Sequence, residues 1–312
     1  MLKYIFTSIA VLFSAYCFSQ HHKFSFDYSY GMAGGSTPTT SPIGNADAIN
    51  AKQADDLVKY FLESSKLDFK CIYNGCQNRA MVMSLLLKKK GIKHYKIWNF
   101  DPFKISIFNK QGALNVDDVL NLKAGKIFWD FHVAIAVVVE NGSSSVDTLV
   151  IDPSFAKKPI KISEWLGMQN SPNSYYTLLD PIWYNFITLL PGTSLNCNGV
   201  SNILNFPTCF PALLTGDFYS YSPINQQLIA EELATNEQIT KVSENIIAKM
   251  AATDPGRAGM VSLVSDNFYS FKDILAGRVN VDSTSPFSKY VNGYKKAYAA
   301  SLAYWSQQLQ SL

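Results

Sequence analysis

Cys76 opens the run Cys76-Gln77-Asn78-Arg79-Ala80, directly after Asn74-Gly75 and ahead of a strongly helical stretch, Met81 to Lys90, that Gly91 closes. The short apolar segment before it, Phe69 to Tyr73, reads as a strand. A strand ending in an Asn-Gly turn puts the thiol in the first turn of a helix. There, unpaired backbone N–H groups and the helix dipole favour the thiolate. Such a sulfur is a nucleophile that needs a base. Of the four histidines, His21 and His22 fall in a polar lead-in, and His94 follows Gly91 in a polar turn expected to face solvent. His132 instead interrupts the most strand-like run of the chain, Ile127 to Val139. Taken alone, a strand histidine reads as a hydrogen-bonded core residue.

Its neighbours change that reading. The turn Glu140-Asn141-Gly142-Ser143-Ser144 leads into Val146 to Ile151, and apolar runs flanking Asn-Gly predict a β-hairpin. A turn centred near Gly142 sets His132 opposite Asp152 or Pro153, on one face, with Cβ atoms roughly 4.5–5.5 Å apart. Asp152 would hold His132 Nδ1–H and leave Nε2 to face the thiol. Without the hairpin, Asp152 is simply a turn aspartate before proline.

Elsewhere the chain limits what this chemistry can be. Residues 1–20 combine Lys3, an apolar stretch from Tyr4 to Phe13 and small residues near Gln20, which reads as a secretory signal. Tyr16 is too bulky in front of Cys17 to suit lipidation. No later run approaches ~18 uninterrupted apolar residues, so no membrane span is expected in the mature chain. A net charge of +3 on 312 residues, without a Lys/Arg cluster, gives nucleic-acid binding no support. Export would leave Cys71, Cys76, Cys197 and Cys209 in an oxidising compartment. Cys197 and Cys209 flank a short loop that a disulfide can close. A Cys71–Cys76 bridge would quench the nucleophile, so Cys71 is expected to be buried and inert. Two structural disulfides and no chemistry is the competing reading. Zinc-type Cys/His spacing is absent.

Four regions follow: a signal at 1–20, a flexible Gly/Pro/Ser/Thr-rich lead-in at 21–45, a catalytic Cys-His-Asp domain at 46–215 and a helical C-terminal extension at 216–312. Ala46 to Leu67 is helical, with Ile49, Leu57, Tyr60 and Phe61 on the core face. Tyr95 to Trp98 and Lys104 to Phe108 look like strands, Val116 to Leu122 like a helical turn or loop, and Ile162 to Met168 like a short helix. Tyr175 to Leu190 is ambiguous. Pro223 starts a helix whose pattern Asp254-Pro255-Gly256 breaks, and Ser288 to Gln310 forms the last helix. The fold class is α/β (α+β), with a helix carrying the nucleophile packed on an antiparallel sheet.

Three segments, Asn74-Gly75-Cys76-Gln77-Asn78-Arg79-Ala80, Trp129-Asp130-Phe131-His132 and Ile151-Asp152-Pro153-Ser154, resemble the secreted bacterial protein-glutaminases, the protein-glutamine deamidases. The resemblance rests on a Gly-Cys-x-x-Arg-Ala segment, an aromatic residue directly before the histidine, and Ile-Asp-Pro-Ser after the next strand. It spans Asn74 to Ser154, with looser similarity to Cys209. It implies a transglutaminase-like, papain-like fold and no metal or organic cofactor. Cys76 would be nucleophile, His132 general base and acid, and Asp152 the orienter. The implied reaction hydrolyses glutamine side chains of proteins or peptides to glutamate, with release of ammonia, through a thioacyl-enzyme. Cys71 has no counterpart in the family pattern. The family's long N-terminal pro-segment is replaced by a short lead-in, and about a hundred helical residues are added at the C-terminus.

Gln77 is a candidate for an oxyanion hole, although its side chain is expected to face solvent and the Cys76 backbone N–H is the safer donor. Trp98 and Trp129 are candidates for the amide pocket, against the plainer reading of core aromatics. Arg79 matches the family segment, and a structural ion pair on its helix is the plainer reading. A transglutaminase or a cysteine peptidase would use the same triad. A non-catalytic secreted binding module on a decayed enzyme scaffold is the alternative of a different class.

Overall fold

The structure, a computed structural model, describes residues 22–23, 43–44, 47–100, 114–120, 122, 125–129, 131–142, 145–171, 174–181, 183–186, 218–220, 223–247, 254–266 and 268–312. The segment 1–20, the strand expected at 104–108, and Cys197 and Cys209 lie outside those residues. In chain order the elements begin with β1 (His22–Lys23), α1 (Ala51–Glu63), α2 (Cys76–Lys89), β2 (Tyr95–Phe100), β3 (Leu114–Asp117), β4 (Lys126–Trp129) and β5 (Phe131–Asn141). Next come β6 (Ser145–Ile151), β7 (Ile160–Lys161), α3 (Ile162–Gly167), β8 (Tyr175–Leu179), β9 (Trp183–Phe186) and β10 (Phe218–Ser220). Four helices complete the chain: α4 (Pro223–Val242), continued by a π-helical turn over Ser243–Ile247, α5 (Pro255–Asp266), α6 (Phe268–Leu275) and α7 (Ser288–Ser311).

Six strands form the main sheet in the order β1-β8-β2-β5-β6-β7, antiparallel except for the β1–β8 pair. The protein is therefore α+β, with a helical C-terminal region. His22–Lys23 of β1 belongs to the stretch expected as a flexible lead-in. Strand β5 is the hub, and its near-continuous apolar sequence fits burial on both faces. Ile135, Val137 and Val139 pack with α1 and α2, while Ala134 and Ala136 pack with Trp165 and Leu166 of α3.

α1 starts at a capping box: Gln53 N donates to Asn50 Oδ1 and Asn50 N to Gln53 Oε1, each at 2.8 Å. Its buried residues Ala54, Leu57, Val58 and Phe61 follow helical spacing. α2 differs, burying Asn78 to Ser84 in an unbroken row as well as Leu87. A helix without a polar face needs cover on every side. The sheet supplies one side; Ile229, Ala230 and Leu233 of α4 with Trp305 and Leu309 of α7 join the same core.

Several sequence expectations are corrected. Phe69 to Tyr73 is not a strand; side chains rather than a neighbouring strand take its polar groups, beginning with Asp68 Oδ1, which accepts from Lys70 N and Cys71 N. Ile127 to Val139 is two strands. β4 pairs with β3 in a separate ribbon, and β5 pairs with β2 and β6. The break falls where Trp129 turns away to donate its Nε1–H to Ile72 O at 2.9 Å. Leu114–Asp117, in and ahead of the expected helical turn, is strand β3. Asp254-Pro255 begins α5 rather than only ending a helix: Asp254 Oδ1 accepts from Gly256 N at 2.9 Å.

His94 is buried, not solvated. Its Nδ1–H donates to Ile92 O at 2.8 Å, and Nε2 accepts from the Ser84 hydroxyl at 2.7 Å, tying α2 to the start of β2. Burial, more than the Ile92 bond opposes it, lowers the pKa from 6.5 to about 4, helped by the nearby Lys96 charge. The folded protein thus prefers neutral His94. Stability is full above pH 6.5 and falls on acidification toward about 4, as the unfolded chain takes up a proton the folded one refuses. The loss is on the order of 3 kcal/mol. His94→Gln keeps an acceptor for Ser84 but cannot titrate. Thermal melts across this range should show a shallower fall in Tm for the variant than for wild type. Parallel curves would contradict this account.

Candidate active site

Cys76 is the first residue of α2. Gly75 before it is left-handed, with φ of 79°, and a Cβ there would come within 2.6 Å of Asn236 Nδ2. Both the dihedral and the space require glycine. Asn74 Oδ1 accepts from Gly75 N at 2.7 Å. The segment before the turn is held by side chains: Arg79 Nη1 donates to Cys71 O at 2.8 Å and to Asn74 O at 3.2 Å, and Trp129 anchors Ile72 O. Arg79 is buried and braces carbonyls of the turn, in place of the expected ion pair on the helix surface.

His132 and Asp152 meet at the ends of β5 and β6. The hairpin register runs from Asn141↔Ser145 to Ile135↔Ile151, one step beyond the expected range, because the turn is centred one residue later than Gly142. Extended by one pair, it sets Asp152 opposite Ala134, so Asp152 is a diagonal neighbour of His132 on the same face. Diagonal pairs, roughly 7–8 Å apart at Cα, are within reach of long and aromatic side chains. His132 Nε2 lies 2.7 Å from Asp152 Oδ2, and both residues are buried. The expected ring orientation is thereby reversed. Nε2 takes the carboxylate, which leaves Nδ1 for the thiol of Cys76, a side-chain hydrogen-bond partner of the ring.

Asp152 is satisfied on both oxygens. Trp165 Nε1 donates to Oδ2 at 2.8 Å alongside His132, and Ser154 N donates to Oδ1 at 3.1 Å. The imidazole is boxed in by aromatic rings: Trp129 stacks on it at 5.1 Å, with Phe155 at 5.0 Å and Trp165 at 5.6 Å. Burial works against charge on His132, but the Asp152 charge and hydrogen bond, followed by the bond and charge of Cys76, raise its pKa from 6.5 to about 9. Burial likewise opposes ionisation of Asp152. The charge and hydrogen bond of His132, the Trp165 N–H and the Arg79 charge prevail and hold its carboxyl below the usual value. A buried carboxylate and a buried imidazolium thus sustain each other.

The other candidates are less uniform. Gln77 is half-buried and turns toward the thiol, with Cys76 Sγ–H donating to its Oε1 at 3.5 Å, so it does not simply face solvent. Trp129 lies against the histidine. Trp98 is fully buried in β2 with its ring on Phe131, and it does not line the cleft formed by Phe69, Cys76, Arg79, Met83, His132 and Asp152. That cleft has a volume of about 10 Å³, room for roughly one water. Cys71 is a buried free thiol whose pKa is pushed up by burial, and Cys76 is also free. Among the described residues, no group of three or more His, Cys, Asp or Glu is arranged to hold a metal ion. Sequence reasoning missed Trp165 and Phe155. The only signal for Trp165 was an aromatic residue in the short helix after Asp152.

Comparison with known proteins bears on this cluster. Residues 47–169 match the family model described as glutaminase. The matched segment contains Cys76, His132 and Asp152. Among solved structures, the protein-glutaminase from Chryseobacterium proteolyticum is similar at 19% identity over 45% of this chain and 76% of that one, with a TM-score of 0.36. A crystal structure of protein-glutaminase matches at 20% identity over 45% and 77%, TM-score 0.35. A pro-protein-glutaminase matches at 19% over 47% and 54%, TM-score 0.36. No curated protein sequence matches the chain.

The electrostatics can be tested without a substrate. The His132 ring resonances should titrate in NMR with a midpoint near pH 9, and His132→Gln identifies them. In Asp152→Asn the burial penalty is opposed only by Cys76, so the midpoint should fall well below that of wild type. A wild-type midpoint near 6.5 would refute the ion-pair description.

Proposed function

We propose that the protein is a secreted cysteine amidohydrolase that deamidates glutamine side chains of proteins or peptides. The observation that carries this reading is the His132 imidazole held between the Asp152 carboxylate and the Cys76 thiol, inside the glutaminase-family segment. A ring protonated at neutral pH has a proton to give to a leaving nitrogen, and the first turn of α2 sets backbone N–H groups beside the sulfur.

In this reading Cys76 Sγ attacks the side-chain carbonyl carbon of glutamine, and the C=O π pair becomes an oxyanion. The Cys76 N–H is the natural donor to that oxygen, with the Gln77 amide beside it. As the C–N bond breaks, His132 gives its proton to the departing nitrogen, which leaves as ammonia. The thioester is then attacked by water. His132, now neutral, takes the water proton at Nδ1, and the C–S bond breaks to release glutamate and restore the thiolate. Asp152 keeps Nε2–H occupied throughout, so the ring can neither turn nor change tautomer. Transfer to an amine or cleavage of a peptide bond would use the same first step. The family match favours the carboxamide of glutamine.

Residues 1–20 act, in the same proposal, as an export signal. Protein recovered outside the cytoplasm should then start near residue 21 by mass spectrometry. For the enzyme, ammonia release from a casein-like substrate should be lost in Cys76→Ala and fall by about 10³ or more in His132→Ala. Adding a primary amine should leave hydrolysis dominant. Preferential amine incorporation would make it a transglutaminase, and new N-termini a peptidase. A biological effect unchanged in Cys76→Ala would point to a binding module.

A further inference from the structure

Helices α4 to α7 lie outside the matched segment 47–169, yet α4 reaches the turn that delivers the thiol. Asn236 Nδ2 donates to Asn74 O at 3.2 Å and lies over the Cα of Gly75, so close that a Cβ would meet it at 2.6 Å. One helical turn earlier, on the same face, Glu232 Oε2 accepts from Asn74 Nδ2 at 3.3 Å. The other Glu232 oxygen takes Lys272 Nζ of α6 at 2.7 Å, with both side chains nearly buried. Lys272, Glu232 and Asn74 thus form a continuous relay into the Gly75-Cys76 bond. Asn236 Oδ1, in contrast, is buried with no hydrogen-bond partner among the described residues. An amide placed only to fill space would be replaced at less cost by an apolar residue; here the donor half is used and the acceptor half is left bare.

We propose that Asn236, backed by Glu232, is a positioning residue for Cys76, so that α4 is part of the active-site scaffold. It fixes the Asn74 carbonyl plane, and with it the left-handed Gly75 and the direction of the Cys76 Cα–Cβ bond toward His132. Arg79, within the matched segment, donates to the same carbonyl. The proposal rests on the reading of Cys76 as the nucleophile.

The test compares Asn236→Ala with Asn236→Asp in the full chain. Asp keeps the volume but presents an acceptor to a carbonyl, so it loses the bond as surely as Ala does. Two quantities are read: kcat and KM for ammonia release, and the rate at which iodoacetamide labels Cys76, followed on its peptide by mass spectrometry. Labelling needs no substrate, so it answers even if glutamine proves not to be the substrate. Both variants should lose about 10-fold or more in kcat and in labelling rate at neutral pH, with KM within about threefold of wild type. Loss in Ala but not in Asp would mean that Asn236 only fills space and would overturn the proposal. So would both variants staying within about twofold of wild type. Should the Asn236 variants not fold, Asn74→Asp reads the latch from the turn side. It loses the donor to Glu232 and keeps the Oδ1 acceptor for Gly75 N. The same slowing is expected, and unchanged labelling would refute the relay.

Discussion

The bond between His132 and Asp152 is the constraint to which the rest of the site is fitted. A carboxylate and an imidazolium removed from water are destabilising unless every lone pair and proton is met. Here Asp152 Oδ2 receives two N–H donors, from His132 and Trp165, and Oδ1 receives Ser154 N. Phe155 N and Ala156 N both donate to the Asp152 carbonyl, each at 3.0 Å, so the chain turns at once after the strand. Pro153 contributes by having no N–H to donate and by keeping the residue before it extended. The strand must therefore stop at Ile151, and that stop puts the carboxylate at the rim of the sheet, where the imidazole can also meet a helix terminus.

The placement of that helix explains why the C-terminal helices are not an appendage in physical terms. α2 buries nearly all its first three turns. With β5 on one side only, Met81, Val82 and Met83 could not all be removed from water; the core they share includes Ile229 and Leu233 of α4 and Leu309 of α7. The helix that begins at Cys76 is thus gripped between a sheet and a helical layer from the far end of the sequence. The short turn before it is set by both.

How far these features could be read from the sequence depends on how local their causes are. The helix start at Cys76 and the hairpin at Asn141-Gly142 are encoded by neighbours, glycines with positive φ at the predicted places. The register error of one step came from centring the turn on Gly142, whereas the strands pair about a point one residue later. It changed a direct pair into a diagonal one without separating the residues. The split between β4 and β5 was hidden because an unbroken apolar run carries no punctuation; what breaks it is the Trp129 indole reaching Ile72, a contact across 57 residues. The grip of α4 on Asn74 spans 158 and 162 residues and leaves no periodicity to detect.

The two buried histidines show why burial alone does not set the charge of an imidazole. His94 and His132 are both shut away from water, and desolvation pushes both toward the neutral form. His94 is bonded to a neutral carbonyl and a hydroxyl, with the Lys96 charge nearby, and its pKa ends near 4. His132 is bonded to a carboxylate and a thiol, and its pKa ends near 9. The same ring in the same kind of burial thus favours the neutral form in one place and the protonated form in the other. The difference lies in one formal charge, that of Asp152, delivered by the strand end. In the sequence that charge was legible as an aspartate before a proline. The ring it would serve became legible only once the hairpin had brought the two strands together.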